Sequence, residues 1–343
     1  WKSMKEQQPV RIADIAAAAG ASLSTVSNVL SGKRQMNTPT GRKILELAKE
    51  MGYQRPQRIQ QRRRIRMVLC KNSGLVVMDT PFFSELIAGV DEACRKHQYE
   101  LLITYLQMGQ HLSKSMNEVM ADQPDAVLLL ATEMQEEQLR PFLACKAPLV
   151  VLDALFPHLL VNAVGINNVG AGYLAAETLI RSGHRRIGFI GSGFSFQNMR
   201  DREAGWREAL HAHGLEALPQ DVIEVEPTMD GACRDMEKCL KARQAPLPQA
   251  FFAANDIIAV GVSRALKAAG YRLPQDVSII GMDDMPMCQV VHPRLTTLSV
   301  PKRQMGALAV ERLSQLLEQG ETAVVQASVG VQVAWRESVR SQA

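Results

Sequence analysis

Residues 11–30 read RIADIAAAAGASLSTVSNVL, and this stretch decides the first domain. Ile12, Ile15, Ala16 and Ala19 recur at helical spacing, which predicts a short amphipathic helix. Gly20 follows at once, where a left-handed residue ends a helix at little steric cost. Ser22 is placed to cap a second helix whose inner face is Val26, Val29 and Leu30. Leu23, Ser24, Thr25, Ser27 and Asn28 are then left on its outer face. Small polar side chains on an exposed helix are what base edges and phosphates require. The alternative is an ordinary helical hairpin in a core, and the surrounding charge argues against it.

That charge is uneven. Residues 1–66 hold fourteen Lys and Arg against four Asp and Glu, a balance of +10. The whole chain carries +4, so the remainder carries −6. A basic head on an acidic body is the asymmetry expected when one segment meets nucleic acid. A third helix is predicted from about Pro39 to Met51, with Thr38 as its cap and Ile44, Leu45, Leu47 and Ala48 as its apolar face. Three helices within residues 1–53 make a small DNA-binding domain. Residues 54–66, QRPQRIQQRRRIR, bring six arginines and the apolar anchor Ile59. Such a segment repels itself when free and gains counterion-release energy over a phosphate backbone. It reads as a hinge over 54–65, with Arg58, Arg62 and Arg63 directed at DNA. A passive flexible linker is the alternative.

A chain of 343 residues with 46% apolar content is long enough for a small head and a large body. It has no apolar run of membrane-spanning length and no apolar leader at its start, so a cytoplasmic protein is expected. The six cysteines are scattered without a Cys-x-x-Cys pair and read as reduced thiols. No metal site and no cofactor is expected.

From residue 65 onward short apolar runs alternate with helical patterns. Strands are expected at 65–70, 100–104, 126–131, 149–153, 186–190, 222–225, 250–254, 277–282 and 295–300. Helices are expected at 83–97, 169–182, 202–213, 229–243, 257–269 and 304–317. This alternation predicts an α/β body of two doubly wound parallel-sheet subdomains, with a break near 162–168. The halves are expected to be 66–164 with 295–324, and 165–294 with 325–343. Ligands in such sheets bind at the carboxyl ends of the strands. There stand Asp153 after LVVL, Asn255 and Asp256 after FFAA, Asp283 and Asp284 after IIGM, and Arg200 and Arg202 after RIGFIG. Carboxylate, amide and guanidinium groups together suit a small polyhydroxylated ligand. One member of each Asn255–Asp256 and Asp283–Asp284 pair is expected to be a helix cap. Phe82 and Phe83 open the first body helix, either as an aromatic wall for a sugar face or as core.

Catalytic motifs are missing. Residues 191–194, GSGF, lack the third glycine of a dinucleotide fingerprint and the lysine of a P-loop. There is no Gly-x-Ser-x-Gly elbow and no His-Glu-x-x-His, and His211 and His213 do not share a helical face. No catalytic residue is assigned.

Taken together, the motifs resemble the lactose-repressor/galactose-repressor (LacI/GalR) family of bacterial transcription regulators from about residue 10 to 335. They are DIAAAAGASLSTVSNVLSGK at 14–33, TPTGRKI at 38–44, TPFFSELIAGVDEA at 80–93 and GHRRIGFIG at 183–191. Further on stand REAGWREAL at 202–210, AANDIIAVG at 253–261, LPQDVSIIGMDD at 273–284 and PRLTTLSVP at 293–301. The resemblance implies a helix-turn-helix head and a periplasmic-binding-protein-like body. It implies Leu23, Ser24 and Asn28 as base readers and Thr25 and Ser27 as phosphate-contacting hydroxyls. Arg202 becomes the effector arginine, with Asp153, Asn255 and Asp283 around it. Asn28 can pair with adenine, where many relatives carry Arg. The loop after Val225 holds Pro227, Thr228 and Met229 where an aromatic often stands. Arginines occupy the hinge near 62 and 63 where relatives usually carry a wedging Leu.

These readings converge on a homodimeric transcriptional regulator, most simply a repressor. Its partners would be a nearly palindromic double-stranded operator and a small sugar or sugar-derivative effector. The competing reading is a cytosolic sugar-binding or sugar-modifying protein whose basic head serves something else.

Overall fold

The head is built from α1 (Ile12–Ala19), α2 (Leu23–Leu30) and α3 (Pro39–Glu50). The computed structural model describes residues 10–31, 38–53, 62–71, 81–107, 116, 119–194, 197–320 and 323–340. Gly20 takes φ +64°, so α1 ends on the left-handed residue its sequence offers. Ser22 Oγ accepts the Thr25 N–H at 3.1 Å, and Thr38 Oγ1 accepts that of Gly41 at 3.0 Å. Both caps satisfy donors that a helix start leaves open. Ile15, Ala16, Ala19, Val26, Val29, Ile44 and Ala48 form the buried core. Leu45, expected on the inner face of α3, is instead exposed. Gly41, Ile44 and Ala48 line the buried stripe of α3 with Leu47 packed beside them, and Leu45 falls off that stripe. So small a core leaves little reserve. Ser22→Ala is expected to cost about 1 kcal/mol, read as a lower unfolding midpoint of the head by circular dichroism.

The chain divides at Gln61, with Arg62–Ala343 as the second compact unit. Its first sheet contains β1 (Arg64–Lys71), β2 (Glu100–Gln107), β3 (Ala126–Leu130), β4 (Leu149–Leu152) and β5 (Asn162–Ile166). The second contains β6 (Ile187–Ser192), β7 (Val222–Val225), β8 (Ala250–Ala253), β9 (Ser278–Asp283) and β10 (Thr296–Ser299). Two late strands, β11 (Gln326–Val329) and β12 (Gln332–Ala334), complete them. The orders are β11-β5-β4-β3-β1-β2 and β12-β10-β9-β8-β6-β7. Among the described residues every pairing is parallel except β10 with β12. Central strands such as AVLLL at β3 and AFFA at β8 are buried throughout, as parallel strands covered on both faces must be.

The body helices are α4 (Pro81–Lys96), α5 (Glu136–Leu139), α6 (Asn168–Arg181), α7 (Gln197–Ala212), α8 (Met229–Ala242), α9 (Asp256–Ala268) and α10 (Lys302–Gln319). The division into halves differs from expectation in three places. The break expected over 162–168 is narrower, since Asn162–Ile166 is strand β5 and Asn167 caps α6. Of 295–324, assigned to the first half, β10 pairs with β9 in the second sheet, and only α10 packs against the first. Of 325–343, assigned to the second half, β11 pairs with β5 in the first sheet. The chain therefore crosses between halves near Asn167, Pro301 and Gly330, and short parallel pairings rather than sequence order decide membership.

Two features pack the second half closely. Helices α6 and α7 meet through glycines. A Cβ on Gly172 would lie 1.9 Å from the Arg202 carbonyl oxygen, and one on Gly205 equally close to that of Val169 at 1.9 Å. Beneath β7, buried Asp221 receives Arg186 bidentately at 2.6 and 2.8 Å and Arg243 at 2.5 Å. No described helix is long and apolar enough to cross a membrane.

Candidate functional site

Two groups of residues stand out, one in each unit. In the head, Leu23, Ser24, Ser27 and Asn28 are exposed along α2 and Thr25 is half-buried. Ser22 Oγ lies 2.8 Å from both Ser24 Oγ and Thr25 Oγ1, so these hydroxyls form a local cluster at the helix start. Leu23 is 57% exposed, an apolar side chain with no core to enter. Arg62 and Arg63 are exposed just before β1. Arg58 lies outside the described residues, as does most of the expected hinge.

In the body, the carboxyl ends of β4, β8 and β9 converge. Arg202, in α7, is only 6% exposed. Its Nε donates to Asn168 Oδ1 at 2.8 Å and its Nη1 to the Ala254 carbonyl at 2.6 Å. The glycine contact between α6 and α7 brings Asn168 within reach. Among the described residues the two Arg202 bonds use Nε and Nη1 and not Nη2. Asp153 is 2% exposed with φ +63°. Thr132 Oγ1 donates to its Oδ2 at 2.7 Å, while Oδ1 has no hydrogen-bond partner among the described residues. Asn198 Nδ2, on the second half, donates to the Asp153 carbonyl at 2.9 Å and ties the halves together.

Asn255 caps α9 by accepting the Ile258 N–H at 2.9 Å, which leaves its amide nitrogen free to donate. Asp256 is fully buried and supports the next loop, accepting Met285 N–H at 2.9 Å and Thr297 Oγ1–H at 2.6 Å. Asp283 and Asp284 both adopt left-handed backbone, at φ +111° and +51°. Neither caps a helix as expected; Asp284 pairs with Arg336 at 2.6 Å. Phe82 and Phe83 are edge to face at 5.1 Å and buried in the first-half core. Phe82 also lies 5.9 Å beneath the ammonium of Lys302. Sequence reasoning placed Asp153, Arg202, Asn255 and Asp283 in one cleft, and the structure brings them together. It missed Asn168, Asn198, Thr132 and Lys302. Lys302 carried one signal: a cation at the first position of an 18-residue helix opposes the helix dipole.

Burial pushes the Asp153 carboxyl up to about 7, against the Thr132 hydrogen bond and the Arg202 charge, with Asp283 adding to the rise. Burial likewise raises Asp283 to about 6, offset by Arg202 and Lys302. A raised carboxyl keeps its proton in the folded chain while the unfolded chain has lost it. Its stabilisation is complete below the unfolded value and fades as pH climbs through the folded one. Asp153→Asn, which cannot ionise, is therefore expected to gain stability relative to the parent between pH 4 and 7. The gain is at most about 1.4 kcal/mol per pH unit. Chemical denaturation of the ligand-free chain at both pH values measures it; a constant difference would contradict this assignment.

Comparison with known proteins matches both units. Residues 11–56 match the family described as bacterial regulatory proteins, lacI family, and 176–339 a periplasmic binding protein-like domain. The chain is 34% identical over 308 residues to the ribose operon repressor of Haemophilus influenzae, covering 89% of this chain and 91% of that one. It is 30% identical over 339 residues to an HTH-type transcriptional repressor PurR of the same species, covering 96% and 98%. A solved complex of the transcriptional regulator CelR with cellobiose shares 27% identity at a TM-score of 0.73, covering 96% of this chain and 99% of that one.

Proposed function

The chain belongs to the LacI family of bacterial regulatory proteins and is a DNA-binding transcriptional repressor controlled by a ligand, and from that premise we propose that its effector is an uncharged monosaccharide of ribose size, held between the two halves of the body. The observation that carries this is the set of unspent groups in the cleft. Asp153 Oδ1 and the Asp283 carboxyl offer acceptors; Arg202 Nη2 and the Asn255 amide offer donors. A hydroxyl both donates and accepts, so a ring of hydroxyls satisfies this mixed set. Three buried carboxyls, Asp153, Asp256 and Asp283, beside the two cations Arg202 and Lys302 disfavour an acid or a phosphate. A relative with 34% identity is a ribose operon repressor, which points to D-ribose as the first probe. Phe82 can supply an apolar edge to the sugar, whereas Phe83 serves the core.

On the DNA side, Ser24 and Asn28 read base edges from α2, Leu23 meets a thymine methyl or sugar, and Thr25 and Ser27 meet phosphates. Arg58, Arg62 and Arg63 supply hinge contacts. A homodimer acting in the cytoplasm would place two heads on a near-palindromic operator. Effector and operator then change each other's affinity by one common factor. Isothermal titration of D-ribose into the full chain tests the cleft assignment. Saturable one-to-one binding is expected, whereas binding of ribose 5-phosphate but not ribose would contradict it.

A further inference from the structure

Lys302 is the least expected charge in the body. It is 4% exposed, yet among the described residues no carboxylate meets it at hydrogen-bond distance, and Glu85 Oε1 stands at 3.6 Å. Lysine is almost never buried unless paired. Its ammonium instead donates to the Asp283 carbonyl at 2.6 Å and reaches toward that of Asp284 at 3.5 Å. These are two successive non-glycine residues with left-handed backbone. Such strain persists only where the surroundings impose it, and it gathers at functional sites. The turn is held from two other sides, by Asp256 on the Met285 N–H and by Arg336 on the Asp284 carboxylate. Lys302 differs from both because it begins α10, which packs on the first half, while Asp283 ends a strand of the second.

We propose that Lys302 is a positioning residue for effector recognition: it clamps the strained Asp283–Asp284 turn from across the cleft and presents the Asp283 carboxyl as an ionised acceptor for the ligand. This rests on the effector reading above. The groups facing that carboxyl are Arg202 from α7, Lys302 from α10, Asp153 from the end of β4 and Asp256 from α9. Two cations there oppose two acids, so removing one cation tips the balance toward protonated Asp283. A neutral Asp283 has lost part of its acceptor capacity, and with it a reason to bind hydroxyls.

Two measurements decide it. The first titrates the side-chain carboxyls of the ligand-free full chain, labelled with carbon-13 at aspartate, with Asp283 assigned through Asp283→Asn. Lys302→Met is expected to move the Asp283 midpoint upward by at least one pH unit and Lys302→Arg to leave it near the parent value. An unmoved midpoint in a folded Lys302→Met chain overturns the proposal. The second measures D-ribose affinity against pH. Lys302→Met is expected to lose at least tenfold at pH 7 and to shift its binding profile upward, with partial rescue in Lys302→Arg. Parent-like affinity and profile in Lys302→Met overturn it. A merely structural lysine would lower the unfolding midpoint and leave both pH profiles in place. If the parent chain ignores D-ribose, the sugar assignment fails and the carboxyl titration alone decides the role of Lys302.

Discussion

Asp221→Ala is expected to destabilise the body by about 3–5 kcal/mol, because it strips a buried acceptor from two arginines at once. Arg186 and Arg243 both close on this 1%-exposed carboxylate, Arg186 with two parallel bonds. Bidentate charged pairs are roughly twice as strong as neutral hydrogen bonds, and the guanidinium left behind at Arg243 is itself largely shielded. The exposed Glu203–Arg207 pair makes the contrast. It sits one turn apart on the outside of α7, so Glu203→Ala should change stability by no more than about 0.5 kcal/mol. Urea denaturation of both variants at pH 7 gives the comparison. A loss under about 1 kcal/mol for Asp221→Ala would show that the pair is compensated elsewhere.

Arg202→Ala is expected to weaken effector binding by about 100-fold or more while the chain stays folded. Removing one member of a buried, hydrogen-bonded charge set costs about 2–5 kcal/mol in binding. Here the loss is compounded. Asn168 Oδ1 and the Ala254 carbonyl lose their donors, and Asp153 and Asp283 lose the cation that offsets their burial. Arg202→Lys is not expected to rescue, since one ammonium cannot reproduce the planar fork that reaches both partners. Calorimetric titration with D-ribose, beside a thermal-shift control for folding, reads both variants. Retained affinity in Arg202→Ala would move the effector out of this cleft.

Most of the architecture was legible because its signals are local. Gly20, Ser22 and Thr38 mark helix ends by their own chemistry. Buried parallel strands such as 126–130 and 250–253 announce themselves as short apolar runs. The strands that escaped notice are those whose identity depends on neighbours. Asn162–Ile166 contains an asparagine and a glycine, and Gln326–Val329 and Gln332–Ala334 are short and half polar. Each becomes a strand only because a partner of the right length lies beside it. Membership of the two halves failed for the same reason, since crossings near Pro301 and Gly330 leave no compositional mark.

The site divided along a similar line. Asp153, Asn255 and Asp283 stand at the ends of recognisable strands, so topology points to them. Arg202 stands in a helix that follows one. Asn168 and Asn198 act through single hydrogen bonds to residues 34 and 45 positions away. Nothing at that range is written in local periodicity. Asp256 shows how a motif conceals its division of labour. Asn255 spends its oxygen on a helix start, while its neighbour spends one oxygen on Met285, just past Asp283 and Asp284, and the other on Thr297 in β10.

Under the proposed function, a small ligand between the halves of the body governs the grip of the head on DNA. The most direct test of this is the affinity of the full chain for a duplex selected from a random pool, measured with and without saturating monosaccharide, D-ribose first. A near-palindromic duplex is expected to be enriched, with an affinity that changes at least tenfold with ligand in the parent chain and does not change in Arg202→Ala although the duplex is still bound. Failure to enrich any palindrome, or an operator affinity indifferent to every monosaccharide tried, would contradict it.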